Sequence, residues 1–485
     1  MTMNVRKTGW TIILAVLVGT GSAAQETLNS TLVSLRGSDE WVPMIQPPRS
    51  SSGQQYRQYF ATFRESLANK TYEEAETAAK LMVELASRGS DIDELNRSRT
   101  LQNLALAQQL GENYDAAILN YLMAINIIVR HEDMLSDTLV LSLRGLAAAY
   151  VGNDKPVEAF RTFNRALHIS NVNHGPHSLD QLPILNAMMR IHLDQGDAKS
   201  AVEVLERIYL LHSRKFSPQS EEILPVLYQK AKILNELGRN VEERAAYRQI
   251  VRIIRQHRDE FSIGLIEPYL QLGRTFVRDL DEVIFRSAPT AGTAETYFKK
   301  ALSIAEENPE SDWRTKKKCL LALADYYTLV DMHSMARRRY QQAWELMSSD
   351  VSYLQQRAID LESIVPLSQP HPHRYANFEY NPDREKIDPD DYLQGVLVVR
   401  YTVNDRGRAK DINVVGADPP EFKRMERRVR LALKKFVFRP RCAGGLPVET
   451  TDQIYRHDYF YMQSEYQASL EQSGRLNRPV PPKVE

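Results

Sequence analysis

A 42-residue period constrains this chain more than any other feature of its 485 residues. Ala75, Ala117, Ala159, Ala201 and Glu243 follow one another at that interval, and Ala294 and Ala336 resume it after nine inserted residues. Four residues beyond successive anchors stand Tyr121, Phe163, Leu205, Tyr247, Phe298 and Tyr340, and three further on stand Ala124, Ala166, Ile208, Ile250, Ala301 and Ala343. Steps of four and three bring all of these to one helix face. A second apolar stripe precedes each helix, as Leu143, Leu146, Ala147 and Tyr150, as Tyr269, Leu272, Gly273 and Phe276, and as Leu320, Leu323, Ala324 and Tyr327. Between the two helices lie Gly111-Glu112-Asn113-Tyr114, Gly152-Asn153-Asp154, Gly196-Asp197 and Gly238-Arg239-Asn240, where Gly is expected to supply the positive φ that ends a helix. One such helix pair buries too little apolar surface alone, so neighbouring pairs must stack. The period therefore predicts a mainly α array of about seven repeats over residues 51–365. Its fit is poorest at the start, where Tyr59, Thr62 and Phe63 suit a leading helix badly, and at Glu243, which replaces the small packing residue and predicts a looser turn.

These residues resemble tetratricopeptide repeats of the 42-residue kind found in kinesin light chains, over about residues 51–350. The resemblance implies an α-solenoid with a right-handed superhelical course and a concave binding wall. It places on that wall the leading-helix positions Arg144 and Ala148, Asn186 and Arg190, Tyr228 and Lys232, and Leu270 and Arg274. Arg144, Asn186, Arg190, Tyr228, Lys232 and Arg274 are thus the candidate groove, a polar and net basic strip suited to an extended acidic peptide. An ordinary solvated face accounts for the same residues equally well.

Beyond Pro366 the helical pattern stops. Gln369-Pro370-His371-Pro372-His373 and Asn381-Pro382 predict a linker over residues 366–390. Val396 to Asn404 then reads as a strand, Asn404-Asp405-Arg406-Gly407 as a turn and Lys410 to Val415 as the returning strand. A basic helix follows, with Phe422, Met425, Val429, Leu433 and Phe436 as its apolar stripe. Gly444-Gly445 turns the chain into a last strand from Pro447 to about Tyr461. This order, with Gly395 to Val403, Asp405-Arg406-Gly407-Arg408, Phe438-Arg439-Pro440 and Gly445-Leu446-Pro447-Val448, resembles the TonB C-terminal domain, a small α+β (ββαβ) unit assigned to residues 391–465 and followed by a flexible tail over 466–485. The resemblance implies a periplasmic setting in a Gram-negative envelope and capture of outer-membrane receptor segments by strand addition. The expected edge is the last strand, with Thr451, Gln453, Tyr455 and His457 as candidate partner-binding residues. The charges of Asp452, Arg456 and Asp458 equally suit protection of a free edge.

Lys plus Arg and Asp plus Glu each number 62, so no overall field draws the molecule to nucleic acid. Arg6 and Lys7, the apolar run from Trp10 to Val18 and Ser22-Ala23-Ala24 predict a cleaved signal peptide over residues 1–24, with a linker over 25–50. An uncleaved membrane anchor is the alternative, although the run falls short of the roughly 20 apolar residues a spanning helix needs. Cys319 and Cys442 are expected to stay unpaired. No phosphate-binding glycine loop, zinc-type spacing or nucleophile elbow is present. His371 and His373, like His174 and His177, lack a third ligand at useful spacing. The expectation is a periplasmic, non-enzymatic adaptor for envelope proteins or peptides, needing no cofactor and no metal, and touching membrane peripherally at most. The alternative is an accessory or diverged transducer in TonB-dependent transport, although no histidine precedes His131 to couple it to a proton-driven motor.

Overall fold

The structure, a computed structural model, describes residues 54–88, 94–283, 291–369 and 392–472. The expected signal peptide, the residues up to 50, and His371 and His373 lie outside them. The chain divides into two compact units between Arg239 and Asn240.

In the first unit, consecutive helices pair through short turns: α1 (Gln54–Ala68) with α2 (Tyr72–Arg88), α3 (Glu94–Leu110) with α4 (Tyr114–His131), α5 (Leu139–Gly152) with α6 (Pro156–His174), and α7 (Leu182–Asp194) with α8 (Ala198–Lys215), after which comes α9 (Leu224–Glu236). The anchors Ala75, Ala117, Ala159 and Ala201 are fully buried, as are Tyr121 and Leu205. Close approach is what the small residues permit: a Cβ on Gly145 of α5 would lie 2.4 Å from the Tyr121 ring of α4. The first helix obeys the same rule in another phase. It buries Tyr56, Phe60 and Phe63 at steps of four and three, while Thr62 faces out and Tyr59 only flanks the core.

The turns correct one expectation. Among the described residues, the left-handed residue stands five before the anchor at Lys70 (φ 61°), Glu112 (62°), Asp154 (54°), Gly196 (73°) and Gly238 (68°), and in the second unit at Asp331 (60°). One residue later the backbone N–H closes a six-residue bond, as from Asn113 to Gln108 O (2.8 Å), Lys155 to Tyr150 O (2.9 Å) and Arg239 to Leu234 O (2.8 Å), which is the Schellman arrangement. Gly111 and Gly152 thus have ordinary φ. Gly152 is there for space, since a Cβ would meet the Tyr114 ring at 2.2 Å. Because a non-glycine residue is strained at positive φ, Glu112→Gly should stabilise the chain by about 0.5–1 kcal/mol, after the extra unfolded-state freedom of Gly is counted. Thermal unfolding checks this, and a lower melting point would count against the assigned turn.

The second unit continues with α10 (Asn240–His257), α11 (Ile266–Val283), α12 (Ala291–Glu307), α13 (Trp313–Leu329), α14 (His333–Ser348) and a short α15 (Leu354–Leu361). Glu243 does not loosen its surroundings. It is fully buried, and Arg278 of α11 donates to its carboxylate while also reaching Asn240 Oδ1 at 3.2 Å. Burial raises the Glu243 pKa, an effect that the neighbouring Arg278 charge opposes.

Strand β1 (Val365–Ser368) follows α15 at once, so the linker expected from residue 366 starts later than that. Its Pro366 is tolerated because β1 has a single partner among the described residues, the antiparallel β4 (Val437–Arg439), in a two-stranded sheet. A three-stranded sheet in the order β3-β2-β7 is built from β2 (Tyr392–Val403), β3 (Ala409–Asp418) and β7 (Thr450–Met462), while β5 (Cys442–Ala443) and β6 (Leu446–Pro447) form a small hairpin. Helix α16 (Lys423–Leu433) covers one sheet face through Met425, Val429 and Leu433, which join Leu397, Val399, Tyr401, Tyr459 and Tyr461 in one core. A further helix, α17 (Gln463–Gln472), replaces the start of the expected tail: its Tyr466 packs on this core and Ser469 is buried.

The sheet region docks on the last helices of its own unit. Arg439 of β4 grips Asp325 of α13 with both arms, Nε to Oδ1 at 2.8 Å and Nη2 to Oδ2 at 2.6 Å, and its Nη1 donates to Asp360 O at 2.8 Å. The Tyr340 hydroxyl donates to the same Asp325 Oδ1 at 2.9 Å, and Arg408 reaches Asp331 at 2.7 Å. Cys319 and Cys442 are both buried and neither is in a disulfide, and burial pushes each thiol up to about 12.

Candidate binding surfaces

In the first unit the expected groove residues occupy equivalent places on α5, α7 and α9. Arg144 is the exceptional one. It is half-buried, and no carboxylate or other acceptor among the described residues meets it. Burial alone pushes its pKa down to about 10, so the guanidinium has lost hydration without gaining a counter-charge. Arg190 differs, since Asp194 on the next turn accepts from its Nε at 3.1 Å. Asn186 accepts from Gln229 at 3.5 Å, Tyr228 is half-buried and Lys232 is exposed. Ala148, one turn beyond Arg144, is buried in the helix packing.

Arg274 belongs to the second unit and has a different character. It lies near Glu267, whose carboxylate also receives Gln271 at 2.6 Å and Lys318 at 2.5 Å. Burial opposes ionisation of Glu267, but Lys318 and Arg274 outweigh it and hold the pKa below the usual carboxylate range. Leu270 is fully buried, so that position belongs to the core rather than to a groove.

In the sheet, β7 pairs with β2 on one side only. The pairing runs without irregularity from Tyr392↔Met462 to Tyr401↔Gln453, so among the described residues the other side of β7 carries unpaired backbone groups in regular order. The side chains expected at this edge point elsewhere. Tyr455 meets Phe436 edge-on at 5.4 Å, and His457 is buried and stacks on Tyr459 at 5.6 Å. Gln453 is half-buried on the same inner row, leaving Thr451 as the exposed member of the set. The outer row is Asp452, Ile454, Arg456, Asp458 and Phe460, all exposed, with Arg456 paired to Asp458 at 2.8 Å. Strand alternation has two phases, and the aromatic residues Tyr455, Tyr459 and Tyr461 already marked the inner one.

His174 contacts Asp137 at 2.8 Å, yet among the described residues no group of three or more His, Cys, Asp or Glu is arranged to hold a metal ion. No described helix is long and apolar enough to cross a membrane.

No family model matches the chain, and no curated protein matches it either. Among solved structures, it is similar to a putative kinesin light chain with nearly identical TPR-like repeats from Podosopora anserina, at 17% identity and TM-score 0.37, covering 43% of this chain and 100% of that one. BtubC (BKLC) from P. vanneervenii aligns at 14% identity and TM-score 0.35, over 48% of this chain and 91% of that one. The apo form of RapI aligns at 12% identity and TM-score 0.33, over 62% of this chain and 99% of that one. The repeating helix pairs of this chain stand on its own burial pattern and its recurring turn hydrogen bonds.

Proposed function

We propose that this protein is a non-enzymatic protein-interaction scaffold of the Gram-negative cell envelope, exported to the periplasm, which captures acidic peptide segments on the leading helices of its first unit. The observation that carries this reading is Arg144, a half-desolvated guanidinium without a counter-charge among the described residues. Such a group is more stable with a carboxylate beside it, and the planar fork suits that acceptor. Lys232, exposed and unpaired among the described residues, extends the strip. The docking of the sheet region through Arg439 and Asp325 supports an adaptor over a transducer, because it ties the sheet to the helices. An acidic peptide titrated against the full chain should bind about tenfold more weakly to Arg144→Gln and again to Lys232→Gln, each loss being about one charge-assisted hydrogen bond. Unchanged affinity in the double variant would remove the strip from the reading.

A second reading, an accessory or diverged TonB-type transducer in outer-membrane transport, has one observation in its favour. Among the described residues, the regular ladder of β7 leaves one side open to an added strand.

A further inference from the structure

The basic helix α16 does more than solvate the sheet region. Its exposed cations Arg427, Arg430 and Lys434 recur at steps of three and four, so they share one helix face over about 10 Å. That face does not look into open solvent alone. With Lys410, Asp411 and Ile412 of β3 it walls an open cleft of about 990 Å³.

The charges in this cleft do not balance internally. Lys423 is satisfied by Glu426 at 2.9 Å and Lys410 by Glu449 at 2.7 Å. Arg427, Arg430 and Lys434 have no ionic partner among the described residues. Apolar surface lies between them: Leu431 is 40% exposed on the same wall, and Ile412 is half-buried opposite. A ligand that uses the whole cleft therefore carries several negative groups around an apolar one.

We infer that the α16–β3 cleft is a second binding site, separate from the Arg144 strip, for an extended peptide that presents two carboxylates and, between them, a bulky apolar side chain on one side of its chain. Alternate side chains of an extended chain share one side and repeat at about 7 Å, so an Asp-Xaa-Leu-Xaa-Asp segment lays its leucine on Leu431 and its two carboxylates on the cations to either side. Recognition is by side chains and not by strand addition. Asp411, at φ 52°, and the register shifts beside Val399 and Thr402 break the regular spacing of β3 that an added strand would need. A membrane surface fits less well, because a planar array of headgroups meets the rim of a cleft and leaves Leu431 uncovered. A bare polyanion satisfies the cations and ignores Leu431.

The test uses the full chain carrying Arg144→Gln and Lys232→Gln, so that loss of binding at the first strip cannot imitate the result. A labelled peptide repeating Asp-Ser-Leu-Ser is titrated by fluorescence anisotropy. Binding should weaken at least 30-fold when Arg427, Arg430 and Lys434 are all replaced by Gln, and three- to fivefold with Leu431→Ser. The same peptide with Lys in place of Asp should not bind. Should the triple variant melt early, Lys434→Gln alone, with an expected loss of several-fold, replaces it. Affinity unchanged by these substitutions overturns the site. Polyphosphate bound as tightly as the peptide, with no effect of Leu431→Ser, overturns the peptide assignment in favour of simple anion attraction. Phosphatidylglycerol vesicles that bind where the peptide does not overturn it in favour of a membrane surface.

Discussion

Arg439→Ala should cost about 3 kcal/mol, because it leaves the Asp325 carboxylate, whose side chain is only 18% exposed, without its counter-charge. Both arms of the guanidinium serve Asp325, the third nitrogen serves Asp360 O, and the Tyr340 hydroxyl completes the Asp325 shell. Burial, and then the Asp325 charge, hold the Tyr340 phenol well above its ordinary pKa, so it remains a donor at every working pH. Arg439→Lys should recover only part of the loss, since an ammonium cannot reproduce the fork. Replacing both partners together, as Arg439→Met with Asp325→Leu, should be much milder than either single change, because no charge is then stranded. The readout is chemical unfolding together with hydrogen exchange at Val437 and Phe438. An Arg439→Ala chain that loses less than about 1 kcal/mol, with exchange unchanged there, would show that the ion pair does not hold the sheet region to the helices.

The repeat was legible because burial in a stacked helix array is periodic, and every anchor from Ala75 to Ala336 is buried. Phase within a strand was less legible. The sequence predicts a last strand from Pro447 to about Tyr461 and β7 runs Thr450–Met462, but the candidates Gln453, Tyr455 and His457 lie on its inner row. Turn chemistry misled at Gly111 and Gly152, because a glycine near a helix end has two uses. Here the left-handed place went to Glu112 and Asp154, and Gly152 made room for Tyr114. The remaining omissions share a cause. Arg439 and Asp325 are 114 residues apart, and Lys410 meets α16 across a cleft that only tertiary packing creates. Neither has a local sequence signature. Strand β1, four residues with a proline, reads as linker until β4 is placed beside it.

Gly407→Ala tests the same junction from its backbone side and should cost about 2–4 kcal/mol, the sum of a left-handed alanine and an overpacked contact. The Asp405-Arg406-Gly407-Arg408 turn explains a glycine by φ alone, which is 75° here. Packing adds a harder constraint. A Cβ at this position would lie 1.9 Å from the Phe438 carbonyl oxygen, and the Thr328 methyl stands 3.2 Å away. Phe438 cannot simply retreat, because its N–H donates to Gly407 O at 2.9 Å and it leads directly into Arg439. Gly416 of β3 provides the contrast: the nearest atom to its Cβ would be 3.6 Å away, so Gly416→Ala should change stability by no more than about 0.5 kcal/mol. Gly407→Ala and Arg439→Ala both act by shifting β4 from α13, so combined they should cost less than the sum of the two. Full additivity in that cycle would mean that the turn and the ion pair are independent. The coupling of turn, strand and buried charge proposed for the junction would then fail, even if each single loss were as large as expected.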